Sequence, residues 1–143
     1  MDVKIKLLTD TARVPTYATD GSAAFDIYAD EAELVEYGRY TKFSTGISVE
    51  VPAGHVLKVY GRSGHAFKDG VRLVNCTGII DSDYRGEIMV GLACDQPGGC
   101  AYINQGDRIA QGIIMPVEKT NFIVADELSE TVRGSNGLGS TGQ

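Results

Sequence analysis

Apolar residues in this chain fall into short stretches that are rich in Val, Ile, Tyr and Phe and are separated by glycine. In the segment 46–51, Ile47, Val49 and Val51 alternate with polar side chains, which is typical of a strand with one buried face. The same rhythm recurs along most of the sequence. It predicts strands over residues 3–7, 24–28, 40–43, 46–51, 55–60, 72–74, 87–93, 101–103, 109–117 and 122–124.

Only one segment favours a helix. Residues 63–68 predict a single helical turn with Ser63 as its N-cap, and no amphipathic segment reaches the usual length of a helix. The 143 residues are enough for one hydrophobic core but not for two. Many short strands with little helix predict one all-β domain, built as a distorted jelly-roll barrel or sandwich.

The most informative segment is the polar stretch 75–87 between two apolar strands. A plain hairpin turns with about two to five residues and carries few acids. This segment is longer than such a turn. A compact set of polar groups between buried strands is typical of a functional site, so the segment is predicted to take part in a chemical reaction. It places three carboxylates, an arginine, a tyrosine and an asparagine together, namely Asp81, Asp83, Glu87, Arg85, Tyr84 and Asn75.

The charge balance narrows the range of partners. The net charge is −6, with 22% charged residues, and a general nucleic-acid binder normally presents a basic face. We therefore expect no nucleic-acid partner. A small polyanion stays compatible with this charge, since a few arginines or a bound Mg²⁺ hold a phosphate chain.

No apolar run approaches the roughly 20 residues of a membrane span, and the N-terminus lacks a signal peptide's apolar segment. We expect a soluble cytoplasmic protein with no membrane partner.

The cysteines predict free thiols. The chain has three cysteines, Cys76, Cys94 and Cys100. An odd number of cysteines without a Cys-x-x-Cys pair is typical of a protein in a reducing compartment. Their spacing with His55 and His65 matches no zinc pattern.

The C-terminal segment 133–143 differs in composition. It has four glycines and one large apolar residue, so it buries too little surface to offset its ordering entropy and is predicted to be mobile. A disordered end is one interpretation. The other is a phosphate-binding loop, because Arg133, Ser140 and Thr141 supply donors among glycines that turn backbone N–H groups toward one point.

Two further segments are candidate anion sites. Residues 61–64, Gly-Arg-Ser-Gly, combine Arg62 with the N–H groups of the predicted helical turn. Residues 106–111 lead from a turn into a buried strand. The alternatives are a plain strand-to-turn connection in the first case and a tight turn with an internal Asp107–Arg108 pair in the second. A P-loop and a dinucleotide fold are excluded, because their glycine patterns and following helix are missing from the sequence.

Five segments, in order, resemble the five motifs of the homotrimeric all-β dUTPase family. They are residues 22–29, 61–64, 75–86, 106–111 and 133–142. The resemblance implies a β-clip domain over residues 1–132 and a mobile lid over 133–143. It also implies an enzyme that uses Mg²⁺ to hydrolyse dUTP to dUMP and pyrophosphate, which limits uracil in DNA and supplies dUMP for dTTP synthesis. Its active sites are shared between the three subunits.

The resemblance also implies roles for individual residues. Asp81 orients and activates the attacking water. Asn75 reads uracil together with the backbone of Gly78, Ile79 and Ile80, while Tyr84 lies against the deoxyribose and Met89 lines the sugar side. The triphosphate contacts are Arg62, Ser63, Gly64 and Gln111, and Asp26 reaches Mg²⁺ through water, with no direct protein ligand. The lid residues are Arg133, Leu138, Gly139, Ser140 and Thr141.

The chain departs from the family at three positions. Leu138 stands where an aromatic residue usually stacks on uracil, Asn136 stands where glycine is usual, and Gly61 stands where proline is common. Two alternatives share the scaffold: a dCTP deaminase-type relative and a nucleotide-switched regulatory protein. Asn75, Asp81 and Tyr84 favour hydrolysis of a uridine nucleotide. A purely structural β-sandwich leaves the five polar segments unexplained.

Overall fold

The computed structural model describes residues 1–137 and shows eleven strands and one helix there. Residues 138–143 lie outside the described part. The elements in chain order are β1 (Lys4–Leu7), β2 (Phe25–Tyr28), β3 (Glu33–Glu36), β4 (Tyr40–Ser44), β5 (Ile47–Glu50), β6 (His55–Tyr60), α1 (Ser63–Asp69), β7 (Val71–Leu73), β8 (Thr77–Ile80), β9 (Met89–Cys94), β10 (Cys100–Ile103) and β11 (Arg108–Pro116).

The strands form four small antiparallel sheets. The largest has the order β2-β11-β6-β8, the next has the order β4-β9-β7, and two pairs join β1 with β5 and β10 with β3. Strand β11 is nine residues long and pairs with both β2 and β6. The predicted all-β, jelly-roll-like architecture is confirmed. The one described helix has seven residues, and no helix in residues 1–137 is long and apolar enough to cross a membrane.

The apolar faces of these sheets pack into a single core. Phe43, Ile27 and Ile109 are completely buried within it. The predicted alternation in β5 is only partly observed, since Ser48 is buried together with its apolar neighbours. Its hydroxyl donates a 2.7 Å hydrogen bond to the carbonyl of Arg85, so the loop after β8 covers the face that the pattern assigns to solvent.

The sequence analysis missed two strands and predicted one strand that does not form. Sequence patterns missed β3, which carries glutamate at both ends, and β8, whose residues were assigned to a polar loop. Residues 122–124 were predicted as a strand but form none, and their side chains are 82–98% exposed. An apolar pattern alone does not make a strand, because a strand also needs a partner.

The helical turn is confirmed, but its cap is not Ser63. Arg62 occupies the N-cap position in an extended conformation, and no described side chain caps the helix. The helix ends at Gly70, which adopts a left-handed conformation with φ of 63°.

The register of the large sheet fixes where polar groups lie. Asp26, Gln111, Tyr60 and Thr77 form one row across β2, β11, β6 and β8. Strand β6 leaves this row into Arg62 and α1. Strand β8 runs the other way and ends just before Asp81.

We expect Phe43→Ala to lower the free energy of unfolding by about 3–5 kcal/mol, because the substitution leaves a cavity in a fully packed core. Urea denaturation followed by circular dichroism at one fixed protein concentration measures this change. Phe67→Ala is the matched control, since Phe67 is 90% exposed on α1. Equal losses in the two variants would contradict the packing described above.

Candidate functional site

One group of charged side chains gathers at the end of the large sheet. Asp26 on β2 forms an ion pair with Arg62 at 3.2 Å (Nε to Oδ1) and accepts a hydrogen bond from Arg108 at 3.2 Å (Nη1 to Oδ2). Arg62 follows β6 and Arg108 begins β11, so the three residues meet because their strands are neighbours in the sheet.

Burial explains this arrangement. Asp26 is only 8% exposed, and a carboxylate removed from water requires cationic or hydrogen-bonding partners. Two guanidinium groups on one carboxylate leave an excess of positive charge. The side chains of Arg62 and Arg108 are 24% and 48% exposed, so this charge is presented to solvent, where it attracts anions.

These residues line a cleft of about 450 Å³, which we call the arginine cleft. Ser63 and Gly64 line it from the first turn of α1, where backbone N–H groups lack intrahelical partners. Gln111 lies on its floor and donates from Nε2 to the carbonyl of Gly61 at 3.0 Å. The lining residues are Ala18, Ser22, Ala23, Ala24, Asp26, Arg62, Ser63, Gly64, Arg108, Gln111 and Ile113.

The second group of candidates surrounds Asp81. Asp81 begins a turn in which the N–H of Tyr84 donates to its carbonyl at 3.2 Å. The hydroxyl of Tyr84 donates to the carbonyl of Glu87 at 3.0 Å, and Oε1 of Glu87 accepts from the N–H of Gly46 at 2.8 Å. With Ser48 bound to Arg85 as well, these contacts fasten the loop to the neighbouring strands.

The side chain of Asp81 is exposed and lies on a cleft of about 240 Å³, which we call the Asp81 cleft. Its apolar and aromatic walls suit a flat ring better than an ion. Asp81 also borders a larger neighbouring cavity of about 690 Å³ that includes Lys58 and Lys119. The residues that line the Asp81 cleft are Ile79, Ile80, Asp81, Tyr84, Glu87 and Met89.

Asn75 and Gly78 lie close together at the start of β8. A Cβ atom on Gly78 would lie 3.1 Å from Cβ of Val59 and 3.8 Å from Nδ2 of Asn75. Glycine is therefore the residue that lets β8 approach β6 beneath the amide of Asn75. Asn75 itself is exposed, so its amide is accessible to a ligand.

Within one chain the two clefts are far apart. Asp81 lies four residues beyond Thr77 along β8, about 13 Å at the usual rise of a strand, and Asp26 lies three strand spacings across the sheet, about 14 Å. Together these offsets separate the backbones of Asp26 and Asp81 by about 19 Å. The structure thus brings together Asp26, Arg62 and Gln111, and separately brings Asp81 together with Tyr84 and Met89, but it does not unite the two sets.

Some sequence expectations need correction. The internal Asp107–Arg108 pair does not form, because Asp107 accepts from Asn104 at 2.8 Å while Arg108 turns to Asp26. Arg85 donates to the carbonyls of Ser82 and Tyr84 rather than to a carboxylate. Sequence analysis also assigned Arg108 no contact with the site. The signal that could have indicated its role is that Arg108 is a charged residue at the start of a buried strand.

The C-terminal candidates are only partly described. Arg133 is exposed and its Nε donates to the carbonyl of Asn136 at 2.9 Å, away from both clefts. Leu138, Gly139, Ser140 and Thr141 lie outside the described residues. In residues 1–137, no three His, Cys, Asp or Glu side chains cluster closely enough to hold a metal ion.

Comparison with known proteins gives a consistent result. The profile of the dUTPase family matches residues 10–142. The deoxyuridine 5'-triphosphate nucleotidohydrolase of Nautilia profundicola is 41% identical over 143 residues, which is all of both chains, and that of Desulfitobacterium hafniense is 45% identical over 91% of this chain and 87% of its own. Among solved structures, the G164S mutant of the Staphylococcus bacteriophage 80alpha dUTPase with dUpNHpp is 25% identical, covers 99% of both chains and superposes with a TM-score of 0.90. The chain belongs to the dUTPase family.

Proposed function

We propose that this enzyme hydrolyses dUTP to dUMP and pyrophosphate by attack of an Asp81-activated water on the α-phosphorus, in sites shared between the subunits of a homotrimer. One observation carries the proposal. One cleft has the size of a base and the other presents positive charge to an anion, and the two clefts lie at opposite parts of one sheet. Each cleft is lined by its own group of residues that match the motifs of the family. The reaction limits uracil in DNA and supplies dUMP for dTTP synthesis.

Asp81 is the general base in this proposal. An ordinary aspartate is ionised at neutral pH and accepts a proton from water. The loop contacts of Tyr84, Glu87 and Ser48 hold the turn that carries Asp81, which limits the motion of the carboxylate. Positioned proton transfer contributes about 10²- to 10⁴-fold, and alignment of water with phosphorus supplies much of the remainder.

The base is read along β8, from Asn75 before the strand to Ile80 at its end. The amide of Asn75 offers a donor and an acceptor, which suits uracil's edge of two carbonyls and one N–H. Gly78 permits the close approach of β8, so the backbone of Gly78, Ile79 and Ile80 completes the pairing and leaves no room for thymine's methyl group. Tyr84, 43% exposed, packs against the deoxyribose and excludes a 2′-hydroxyl, and Met89 closes the sugar side.

The arginine cleft receives the phosphates. Arg62 supplies charge, the first-turn N–H groups at Ser63 and Gly64 supply donors, and the amide of Gln111 lies on the floor. Arg108 joins them, since it shares Asp26 with Arg62. In-line displacement needs this neutralisation of charge on the oxygens of the transferred group.

The residues present fit a magnesium ion held through water. Asp26 supplies a hard oxygen donor, but both its oxygens already face guanidinium groups, so it suits the outer shell of a hydrated ion. Bound Mg²⁺ neutralises charge on the triphosphate oxygens. We propose Mg²⁺ as the cofactor, coordinated mainly by phosphates and reached by Asp26 through a water molecule.

Sharing between subunits follows from the separation of the two clefts. A triphosphate has only two bridging oxygens and does not span about 19 Å between Asp81 and Asp26 of one chain. Pairing the Asp81 cleft of one subunit with the arginine cleft of another resolves the distance. Exposed apolar side chains at Phe122, Ile123 and Val124 also favour burial against another chain.

The C-terminal segment is the proposed lid. Residues 133–143 combine Arg133, Gly139, Ser140 and Thr141, whose charge, backbone and hydroxyl donors suit phosphate. Closure over the nucleotide would expel water and strengthen every charge interaction in the site. This lid and its boundary at residue 132 rest on the sequence and its resemblance to the family.

We expect Asp81→Asn to lower kcat by about 10²- to 10⁴-fold with little change in KM, because the amide keeps the shape of the carboxylate but accepts no proton. Pyrophosphate release from dUTP with Mg²⁺ measures the effect. Asp83→Asn, two residues further in the same loop, is the matched control and should remain active.

The same assay in ¹⁸O-water tests the position of attack, since label should enter dUMP. A fully active Asp81→Asn enzyme, or label in pyrophosphate, would remove the proposed mechanism. Ammonia released from dCTP instead would identify a deaminase.

Mixed trimers test the shared site. Arg62→Ala and Asp81→Asn are each expected to be nearly inactive alone. Random assembly of equal amounts should restore about one quarter of the sites, because one subunit then supplies Asp81 and its neighbour supplies Arg62. Activity after mixing, compared with each variant refolded alone, is the measurement. No recovery in trimers shown to be mixed would place both residues in one subunit's site.

Leu138→Phe should lower KM about threefold to tenfold, because stacking of a base on an aromatic ring contributes about 1–3 kcal/mol and leucine recovers only part of it. Steady-state hydrolysis of dUTP measures the change, with Leu138→Ala as the control for lost contact area. If Leu138→Phe leaves both kcat and KM unchanged, residue 138 does not contact the base.

A further inference from the structure

His65 on helix α1 makes two hydrogen bonds that no step of the proposed reaction requires. Its Nδ1 lies 3.1 Å from Oδ2 of Asp69, and its Nε2 lies 2.9 Å from the carbonyl oxygen of Arg108. The side chain is 18% exposed, so both ring nitrogens are turned into the protein.

Both partners of this ring accept hydrogen bonds. A carboxylate oxygen and a backbone carbonyl oxygen have no proton to give, whereas a neutral imidazole donates from one nitrogen only. The two contacts therefore form together only when both nitrogens carry hydrogen, that is, when His65 is an imidazolium. Loss of the proton points a lone pair at one of the two oxygens and breaks that contact.

The carbonyl of Arg108 links His65 to the phosphate-binding groups. Arg62 donates to the same oxygen from Nη1 at 3.0 Å, so Arg62 and His65 share one hydrogen-bond acceptor. The side chains of Arg62 and Arg108 then share Asp26. His65 thus connects the first turn of α1, which carries Ser63, to the start of β11.

We propose that protonated His65 is a positioning residue for the arginine cleft, and that its loss of a proton weakens the enzyme's hold on the triphosphate. This inference rests on the phosphate-binding role proposed above for that cleft. His65 touches no substrate in this view. It fixes the spacing between Arg62, Arg108 and the donors at the start of α1, and its charge adds to theirs.

The surrounding charges set the direction of the effect. On α1 the ring faces Asp69, with Lys68 beside it, and from β11 and the end of β6 it faces Arg108 and Arg62. From β2, Asp26 pairs with both arginines. Both contacts of the ring form together only on the protonated imidazole, so affinity for the triphosphate is greatest with the protonated ring and falls when the proton is lost.

The protonation state can be observed directly. The chain has two histidines, so two-bond ¹H–¹⁵N correlation spectra contain two imidazole patterns, and His65→Gln identifies which belongs to His65. His55, whose Nδ1 lies 3.2 Å from the carbonyl of Ala53, is the internal reference. We expect two protonated nitrogens on His65 at pH 5.5 and loss of one as pH rises. A neutral ring at pH 5.5 in the folded protein would overturn the proposal.

Affinity provides the functional test. Dissociation constants for dUpNHpp with Mg²⁺ are measured from pH 5.5 to 8.5 for wild type and His65→Gln, and their ratio at each pH cancels titration of the ligand. Glutamine keeps one donor but does not titrate. We expect the wild type to lose about fivefold or more in affinity relative to the variant across this range, the scale of one hydrogen bond to a charged group. A ratio independent of pH would overturn the proposal.

Asp69→Asn provides a second variant that keeps the histidine. The amide can donate to Nδ1 of the neutral ring, which then keeps both contacts, so the change in affinity with pH should become much smaller than in the wild type. A change of the same size in both proteins would contradict the role of the Asp69 contact. Failure of these tests in an enzyme that still hydrolyses dUTP would reject this inference alone, whereas absence of dUTP hydrolysis would reject the proposed function.

Discussion

The burial of one carboxylate, Asp26, organises the anion-binding half of this protein. An aspartate that is 8% exposed must be paired, and the sheet register supplies two arginines within 3.2 Å. The cost of burying Asp26 thereby fixes Arg62 and Arg108, two long side chains that would otherwise be free to move. Their remaining positive charge is preorganised, which lowers the ordering entropy that an anion such as the proposed triphosphate would have to offset.

The large sheet holds the residues of the two clefts in separate places. Asp26, Gln111 and Tyr60 lie in one row, while β8 carries Asp81 away from that row. The usual rise and spacing of strands place the backbones of Asp26 and Asp81 about 19 Å apart. The two clefts of one chain therefore stay apart, which supports the proposal that one nucleotide is bound by clefts of different subunits. In such an enzyme, subunit dissociation and loss of activity are the same event.

Sequence analysis predicted the all-β class and most strands, and it named several of the residues that line the two clefts, because alternating apolar positions and polar segments between strands are local signals. It missed β8 because Thr77–Ile80 is short, contains glycine and directly follows a turn at Cys76, whose φ is 58°. It also missed the role of Arg108. Its partner Asp26 is 82 residues away, and such pairing depends on sheet register, which no local pattern encodes. The segment 122–124 failed for the opposite reason: a strand-like pattern found no partner within residues 1–137.

In the proposed mechanism, strand β8 couples base selectivity to water activation. It runs from the base-reading end at Gly78 to Asp81 with a fixed register against β6. A Cβ atom on Gly78 would lie 3.1 Å from Val59, so the close approach of the two strands depends on glycine at this position. A slip of one residue would exchange the faces of Ile79 and Ile80 and displace Asp81 by about 3.3 Å. Because one short strand sets both positions, the proposed mechanism requires that a base that does not fit beside Gly78 also places its α-phosphorus away from the water assigned to Asp81.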